Sequence, residues 1–105
     1  MTSTSLHHQL DRVIHEKGRL AIVSMLAAAR ELSFTEIREA LGMTDGNLIT
    51  HLKTLQYAGF LVVSKTFSNH RPLTTCSLTG DGRKAFEQYL DHMEALVRQH
   101  RKAQP

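Results

Sequence analysis

The sequence predicts a mainly α-helical fold carrying one small β-hairpin (α+β), and three observations predict it. Apolar residues recur at spacings of three and four in five separate stretches, the mark of amphipathic helices. One β-branched run, from Phe60 to Phe67, is answered after a short polar loop by the run from Leu73 to Leu78, as in a hairpin. The last helical stretch is too long for a chain of 105 residues to bury against itself, which predicts a partner helix.

In chain order, residues 1–5 are small and polar and read as a disordered tail. Leu6, Leu10, Val13 and Ile14 mark a leading helix over 6–14. A second helix is expected from Glu16 to Arg30. Leu20, Val23 and Ala27 form one stripe of it, while Ile22, Met25 and Leu26 are apolar on other sides. A helix apolar nearly all round is buried on more than one face, so this one should be central. Gly18 near its start marks a bend or the first turn. Thr35 is the expected cap of a short third helix, with Ile37, Ala40 and Leu41 facing inward and Gly42 closing it. Phe34 is placed for a hydrophobic staple or a short edge strand.

The stretch from Thr44 to Phe67 carries most of the meaning. Thr44 is a good N-cap, and Leu48, Leu52 and Leu55 then share one helical face. Gly46, Asn47, Thr50, Lys53 and Thr54 fall opposite, on a small, polar and basic face with no acid after Asp45. Gly59 ends the helix as a C′ glycine. The connector Gly42-Met43 is short enough to make a helix-turn-helix, and the hairpin after Gly59 would be its wing. A helix with one apolar and one hydrogen-bonding face, feeding a hairpin, suits a major groove. The expected DNA contacts on it are Thr44, Asp45, Gly46, Asn47, Thr50, Lys53 and Thr54. Asn47 matches adenine edges, and Lys53 matches phosphate or guanine. Ile49 on the flank suits a thymine methyl or boundary packing, and His51 is expected to be a packed, hydrogen-bonded histidine rather than a base contact.

The hairpin tip is Ser68, Asn69, His70 and Arg71, with Pro72 rejoining the strand where an edge tolerates it. Asn69, His70 and Arg71 are candidate minor-groove or phosphate contacts, against the plainer reading of a solvated turn. Lys65 is a backbone contact or a solvated strand residue, and Cys76 and Leu78 share one face of the return strand. From 79 to 102 a last helix carries Phe86, Leu90, Met93, Val97 and His100 in an a/d-like seam, widened by Tyr89 and Leu96. The simplest cover for that seam is the same helix of a second copy.

Composition narrows the function. Residues 1–43 hold as many acids as bases, whereas Thr44 to Leu78 carry Lys53, Lys65 and Arg71 against Asp45 alone, so the excess of the net +3 gathers on the helix and hairpin. Cys76 is the single cysteine, which rules out an intrachain disulfide and fits a reduced cytoplasmic setting. No apolar run reaches the ~18 residues of a membrane span. An enzyme lacks its parts: there is no nucleophile–base constellation, no glycine-rich phosphate loop and no paired carboxylates. No metal or cofactor is expected. His92 and His100 are eight apart, and His7 and His8 point to different sides.

The segment LSFTEIREALGMTDGNLITHLKTLQYAGFLVVSKTF, followed by NHRPLTTCSLTGDGRKAF, resembles the small stand-alone winged-helix transcriptional regulators of bacteria related to the MarR and ArsR groups. The likeness runs from about Leu10 to Val97, and HLKTLQYAGFL with the Arg71-Pro72 pair are its most specific pieces. It implies a winged helix-turn-helix in one domain, with a core over 15–78 and a dimerisation helix over 79–102. It further implies a homodimer on a palindromic operator, acting as a repressor. The leading helix would join the interface, giving Leu6, Leu10, Phe86, Tyr89, Leu90, Met93, Leu96 and Val97 as interface residues. The alternative is a winged-helix module that binds protein instead of DNA. With no room for a ligand domain, any small-molecule effector would bind where helices meet, near Leu20, Val23, Leu26, Phe86 and Tyr89.

Overall fold

A computed structural model describes residues 11–103. The expected tail over 1–5, and Leu6 and Leu10 of the leading helix, lie outside the described residues. The described end of that expected helix is a turn: the Asp11 carboxylate accepts from the Val13 N–H at 2.8 Å and the Ile14 N–H at 3.2 Å. Ile14 is thereby driven into a fully buried position.

Helix α1 (Lys17–Ala28) starts at Glu16, whose carboxylate accepts from the Arg19 N–H at 2.8 Å, and stops two residues short of the expected Arg30. Ala29 turns to extended backbone, φ −121 and ψ 149. The helix is central, as its all-round apolarity requires. Ile22, Val23 and Leu26 sit in the main core, and Leu20 packs in a second cluster around Ile14 and Tyr89. Gly18 lies in its first turn, where a Cβ would meet the His51 ring.

A short edge strand, β1 (Leu32–Ser33), runs antiparallel to Cys76 and Thr75, whereas Phe34, expected just ahead of the next helix, is that helix's first residue. Helix α2 (Phe34–Leu41) is capped by Ser33 rather than Thr35. The Ser33 hydroxyl accepts from the Glu36 N–H at 3.0 Å, and the Glu36 carboxylate accepts from the Ser33 N–H at 2.8 Å. The Ser-x-x-Glu capping box satisfies two backbone donors where Thr35 would satisfy one, so the helix begins earlier. Ile37 is buried, whereas Ala40, expected inside, is exposed. Gly42 ends the helix at φ +65, a conformation glycine adopts without a Cβ penalty.

Helix α3 (Asp45–Tyr57) starts on the Thr44 hydroxyl, which accepts from the Asn47 N–H at 3.2 Å. Its leucines, Leu48, Leu52 and Leu55, are the buried face. It ends in a Schellman motif: Gly59 at φ +82 donates to the Gln56 carbonyl at 2.9 Å, and Phe60 to the Leu55 carbonyl at 3.0 Å. Strands β2 (Leu61–Ser68) and β3 (Arg71–Leu78) pair in full register from Leu61 with Leu78 to Ser68 with Arg71. Asn69 and His70, at φ 54 and 65, form the two-residue turn whose twist suits a tight hairpin. The sheet order is β1-β3-β2, so β3 is central only where β1 covers it. Pro72 lies beyond β1, in a pair whose N–H would point away from β2, so its missing donor costs nothing.

Helix α4 (Gly80–Ala103) spans 24 residues, about 36 Å at ~1.5 Å per residue. Thr79 opens it by accepting from the Gly82 N–H at 2.9 Å while its hydroxyl donates to the Gly59 carbonyl at 2.7 Å. The hydroxyl thus joins the end of α3 to the start of α4. Gly82 is buried against the backbone of Phe60, where no side chain fits. Helix-turn-helix, three-stranded sheet and long last helix together make a winged helix, elongated to 61 × 25 × 21 Å.

Candidate nucleic-acid interface

The leucine stripe of α3 is anchored in the core, which fixes the opposite face outward. Thr44, Asp45, Gly46, Asn47, Thr50 and Lys53 are all exposed, and Thr54 is half-buried. Asn47 and Lys53 have no side-chain partner among the described residues, so their hydrogen-bonding groups are unspent. The threonines are committed on one side. Thr50 donates to the Gly46 carbonyl at 2.9 Å and Thr54 to the Thr50 carbonyl at 3.1 Å. A hydroxyl that donates inward offers lone pairs outward, so Thr50 presents an acceptor suited to a base amino group. Asp45 is placed differently from the rest: its carboxylate accepts from Arg38 Nη1 at 2.9 Å, tying α2 to the start of α3. That bond partners the one acid of the surface and links the two helices of the helix-turn-helix. No periodic signal pairs Arg38 with Asp45 across a turn, which is why the sequence did not point to Arg38.

His51 is half-buried, with Nδ1 at 3.7 Å from Glu16 and 3.4 Å from Arg19. It is a packed histidine joining α3 to the start of α1, as its place beside the leucines led us to expect. The Arg19 N–H holds the Glu16 carboxyl below the ordinary carboxylate range, assisted by the charges of His51 and Arg19 and opposed by burial.

On the wing, Lys65, Asn69, His70 and Arg71 are exposed, and Lys65 and Arg71 have no partner among the described residues. Lys65 reaches the same groove as Lys53. That groove, about 570 Å³ between α3 and the sheet, is lined by the apolar Phe34, Ile49, Leu52 and Val63 and by Lys53, Gln56, Lys65 and Thr74. Ile49 is the exposed one of these apolar residues. From Gly46 through Gly80 there is no Asp or Glu, so Asp45, paired with Arg38, is the one acid on helix and wing that a polyanion would meet.

The last helix divides the expected interface residues. Leu90 and Val97 are exposed, 47% and 42%, beside half-buried Met93, and a shallow groove of about 550 Å³ runs along them. Tyr89 is instead in the chain's own core, 2% exposed, with its hydroxyl 2.8 Å from His15 Nδ1. Burial raises its phenol pKa above the usual value. Phe86 bridges the two core clusters, and Leu96 packs on the second. Burial likewise raises the thiol pKa of Cys76, which packs as a small hydrophobe.

Where α1 meets α4 a hollow of about 440 Å³ is lined by His15, Glu16, Lys17, Leu20, Ala21 and Tyr89. Leu20 and Tyr89 are among the residues expected there. Val23 and Leu26 are sealed in the main core, and Phe86 does not line the hollow. Among the described residues no group of three His, Cys, Asp or Glu side chains is placed to hold a metal, and no helix is long and apolar enough to cross a membrane.

Comparison with known proteins agrees with this geometry. The winged helix DNA-binding domain family matches residues 19–97. An uncharacterised protein of Methanocaldococcus jannaschii is 33% identical over 79 residues, 75% of this chain and 86% of that protein. The transcriptional regulator homologue of Pyrococcus horikoshii superposes with a TM-score of 0.83 at 25% identity, over 90% of this chain and 95% of its own. NadR in complex with 4-hydroxyphenylacetate shares the fold, with a TM-score of 0.70 at 20% identity over 94% of this chain and 70% of that one.

Proposed function

This chain belongs to the winged-helix DNA-binding domain family, and on that premise we propose that two copies bind a palindromic operator and repress transcription from it. It is a DNA-binding regulator, and its family and fold are those of regulators rather than enzymes. Each copy sets α3 in the major groove and its wing on the flanking backbone or minor groove. Asn47 and Thr50 read base edges, Gly46 lets the helix approach closely, and Lys53, Lys65 and Arg71 neutralise phosphates. The observation that carries this reading is the surface on which Asn47, Lys53, Lys65 and Arg71 stand outward without side-chain partners among the described residues, with Asp45 as its one acid.

The homodimer is supported by α4. A helix of about 36 Å with Leu90 and Val97 exposed, and Met93 only partly covered by the second core cluster, needs cover. A matching helix supplies it with twofold symmetry, and twofold symmetry in the protein calls for a palindrome in the DNA, half-sites ~34 Å apart. The test is selection of bound fragments from random DNA, followed by affinity at several salt concentrations. Enrichment of an inverted repeat, with log affinity falling linearly against log salt, is the expected result. Fragments without a repeat, or binding indifferent to salt, would refute it.

The hollow between α1 and α4 favours an added reading, a small aromatic compound as effector. Leu20 and Ala21 supply an apolar lining and Tyr89 a ring, while Lys17 and Glu16 place one cation and one anion at the wall. The 4-hydroxyphenylacetate bound by the structural neighbour NadR supports that chemistry. A ligand there would act by shifting α4 against α1 and so the spacing of the two recognition helices. Operator affinity unchanged across a panel of aromatic compounds would remove this reading.

A further inference from the structure

We infer that the wing is a DNA-deforming wedge, in which Phe67 and Pro72 enter the minor groove, open a base step and bend the duplex. This rests on the reading that the wing lies over a minor groove. Every residue from Ser64 to Pro72 is exposed, so the hairpin leaves the core after Val63. At ~3.4 Å per residue it projects roughly 17 Å. Phe67 is 77% exposed, and the residue opposite it in the ladder is Pro72. Strand alternation puts this pair on the same face as Lys65 with Thr74 and Val63 with Cys76. That face looks toward α3, since Val63, Lys65 and Thr74 line the groove beneath the recognition helix. The apolar pair therefore continues the surface that meets DNA.

A single exposed apolar residue calls for no explanation. This one is set apart by what surrounds it. Phe67 has two side-chain torsions and Pro72 is a closed ring, so both insert with little loss of rotamer freedom. Asn69 and His70 hold a tight two-residue turn at positive φ, which fixes the register that sets Phe67 opposite Pro72. Lys65 and Arg71 flank it, and no acid stands anywhere from Gly46 to Gly80. An exposed apolar pair one step behind the turn, with Lys65 on its own face and Arg71 next to Pro72 in the chain, matches the wedge residues that enter a minor groove between two phosphate rims. Apolar wedges between base steps kink DNA by ~20–90° toward the major groove. Pyrimidine–purine steps unstack most readily, so the wedge selects a TpA or CpA step under each wing by deformability, without a hydrogen bond.

The experiment uses end-labelled duplexes carrying the selected fragment, read by fluorescence resonance energy transfer for bend and by anisotropy for binding. Wild-type protein should shorten the end-to-end distance as a bend of at least ~20° does. Phe67→Ala should lose more than half of that change while remaining bound, and Phe67→Leu should keep most of it. Phe67 is outside the core, so circular dichroism should show all three equally folded. A straight duplex under the wild type overturns the wedge, as does an unchanged bend under Phe67→Ala. Weaker binding by Phe67→Ala at an unchanged bend also overturns it, reducing the ring to packing on sugars. Affinity and bend both unaffected would overturn it and leave the face to a protein partner. Failure of the wild type to bind any duplex at low salt is a separate result, which removes the DNA reading and the wedge with it.

Discussion

Gly82→Ala is a test of how α4 is seated on the reading head. Gly82 is buried in the first turn of α4, and a Cβ there would overlap the Phe60 carbonyl oxygen and stand 2.9 Å from its carbon. The obstacle is backbone and it is held from both sides. The Phe60 N–H donates to the Leu55 carbonyl at 3.0 Å, and the Phe60 carbonyl accepts from the Thr79 N–H at 3.0 Å. Relief requires α4 to lift, which strains or breaks the second of these bonds. Overpacking costs ~1–3 kcal/mol and a lost backbone hydrogen bond ~1 kcal/mol, against ~1 kcal/mol gained by alanine over glycine in a helix. The net is a loss of about 1–3 kcal/mol, and at ~4–8 °C per kcal/mol the melting temperature should fall by roughly 5–20 °C. Gly80→Ala is the control, since nothing lies within 4 Å of its Cβ position. Thermal unfolding by circular dichroism at one protein concentration measures both, because an associating chain melts in a concentration-dependent way. If Gly82→Ala melts within about 2 °C of Gly80→Ala, steric exclusion at Phe60 is not what selects glycine, and the seating argued here is wrong.

Asn47→Ala and Thr50→Ala should flatten sequence preference, each by the ~1–3 kcal/mol of a mismatched base pair, as measured on operator and single-mismatch duplexes. Lys53→Ala and Arg71→Ala should weaken binding to all sequences alike and lower the salt slope by about one each. Leu90→Glu, at a position 47% exposed in the single chain, should give folded monomers by sedimentation, whereas a wild type monomeric at tens of micromolar would end the dimer proposal. Glu16→Ala removes the acceptor of the Arg19 N–H and should cost about 1 kcal/mol at neutral pH. Because that bond depresses the folded carboxyl pKa, its contribution is present above the unfolded pKa and lost as pH falls through the lower folded one. Urea midpoints of wild type and Glu16→Ala should therefore converge in acid.

What the sequence determined by itself are the features set by local rules. The leucines of α3 four and three apart, the Thr44 cap and the left-handed Gly59 terminus depend on neighbours within a turn or two, so local rules place α3 and its outward face. The wing is legible for the same reason, as two apolar runs about a turn that Asn69 and His70 can form. Competition between two local signals misplaced the start of α2: Thr35 and Ser33 are both good caps, and the reciprocal bond from Glu36 decides for Ser33. Tertiary structure decided the rest. Periodicity shows that Tyr89 and Leu90 are both on an apolar sector of α4, but not which side of that sector meets the chain's own core. Ile14 and His15, far away in sequence, claim Tyr89 and leave Leu90 outside. The Arg38 bond to Asp45, the shared groove of Lys53 and Lys65, and the exclusion of any side chain at Gly82 also join residues that no repeat relates. A period fixes a direction around one helix axis, whereas contact between elements depends on how those axes cross, and that angle is set by the packing of all of them at once.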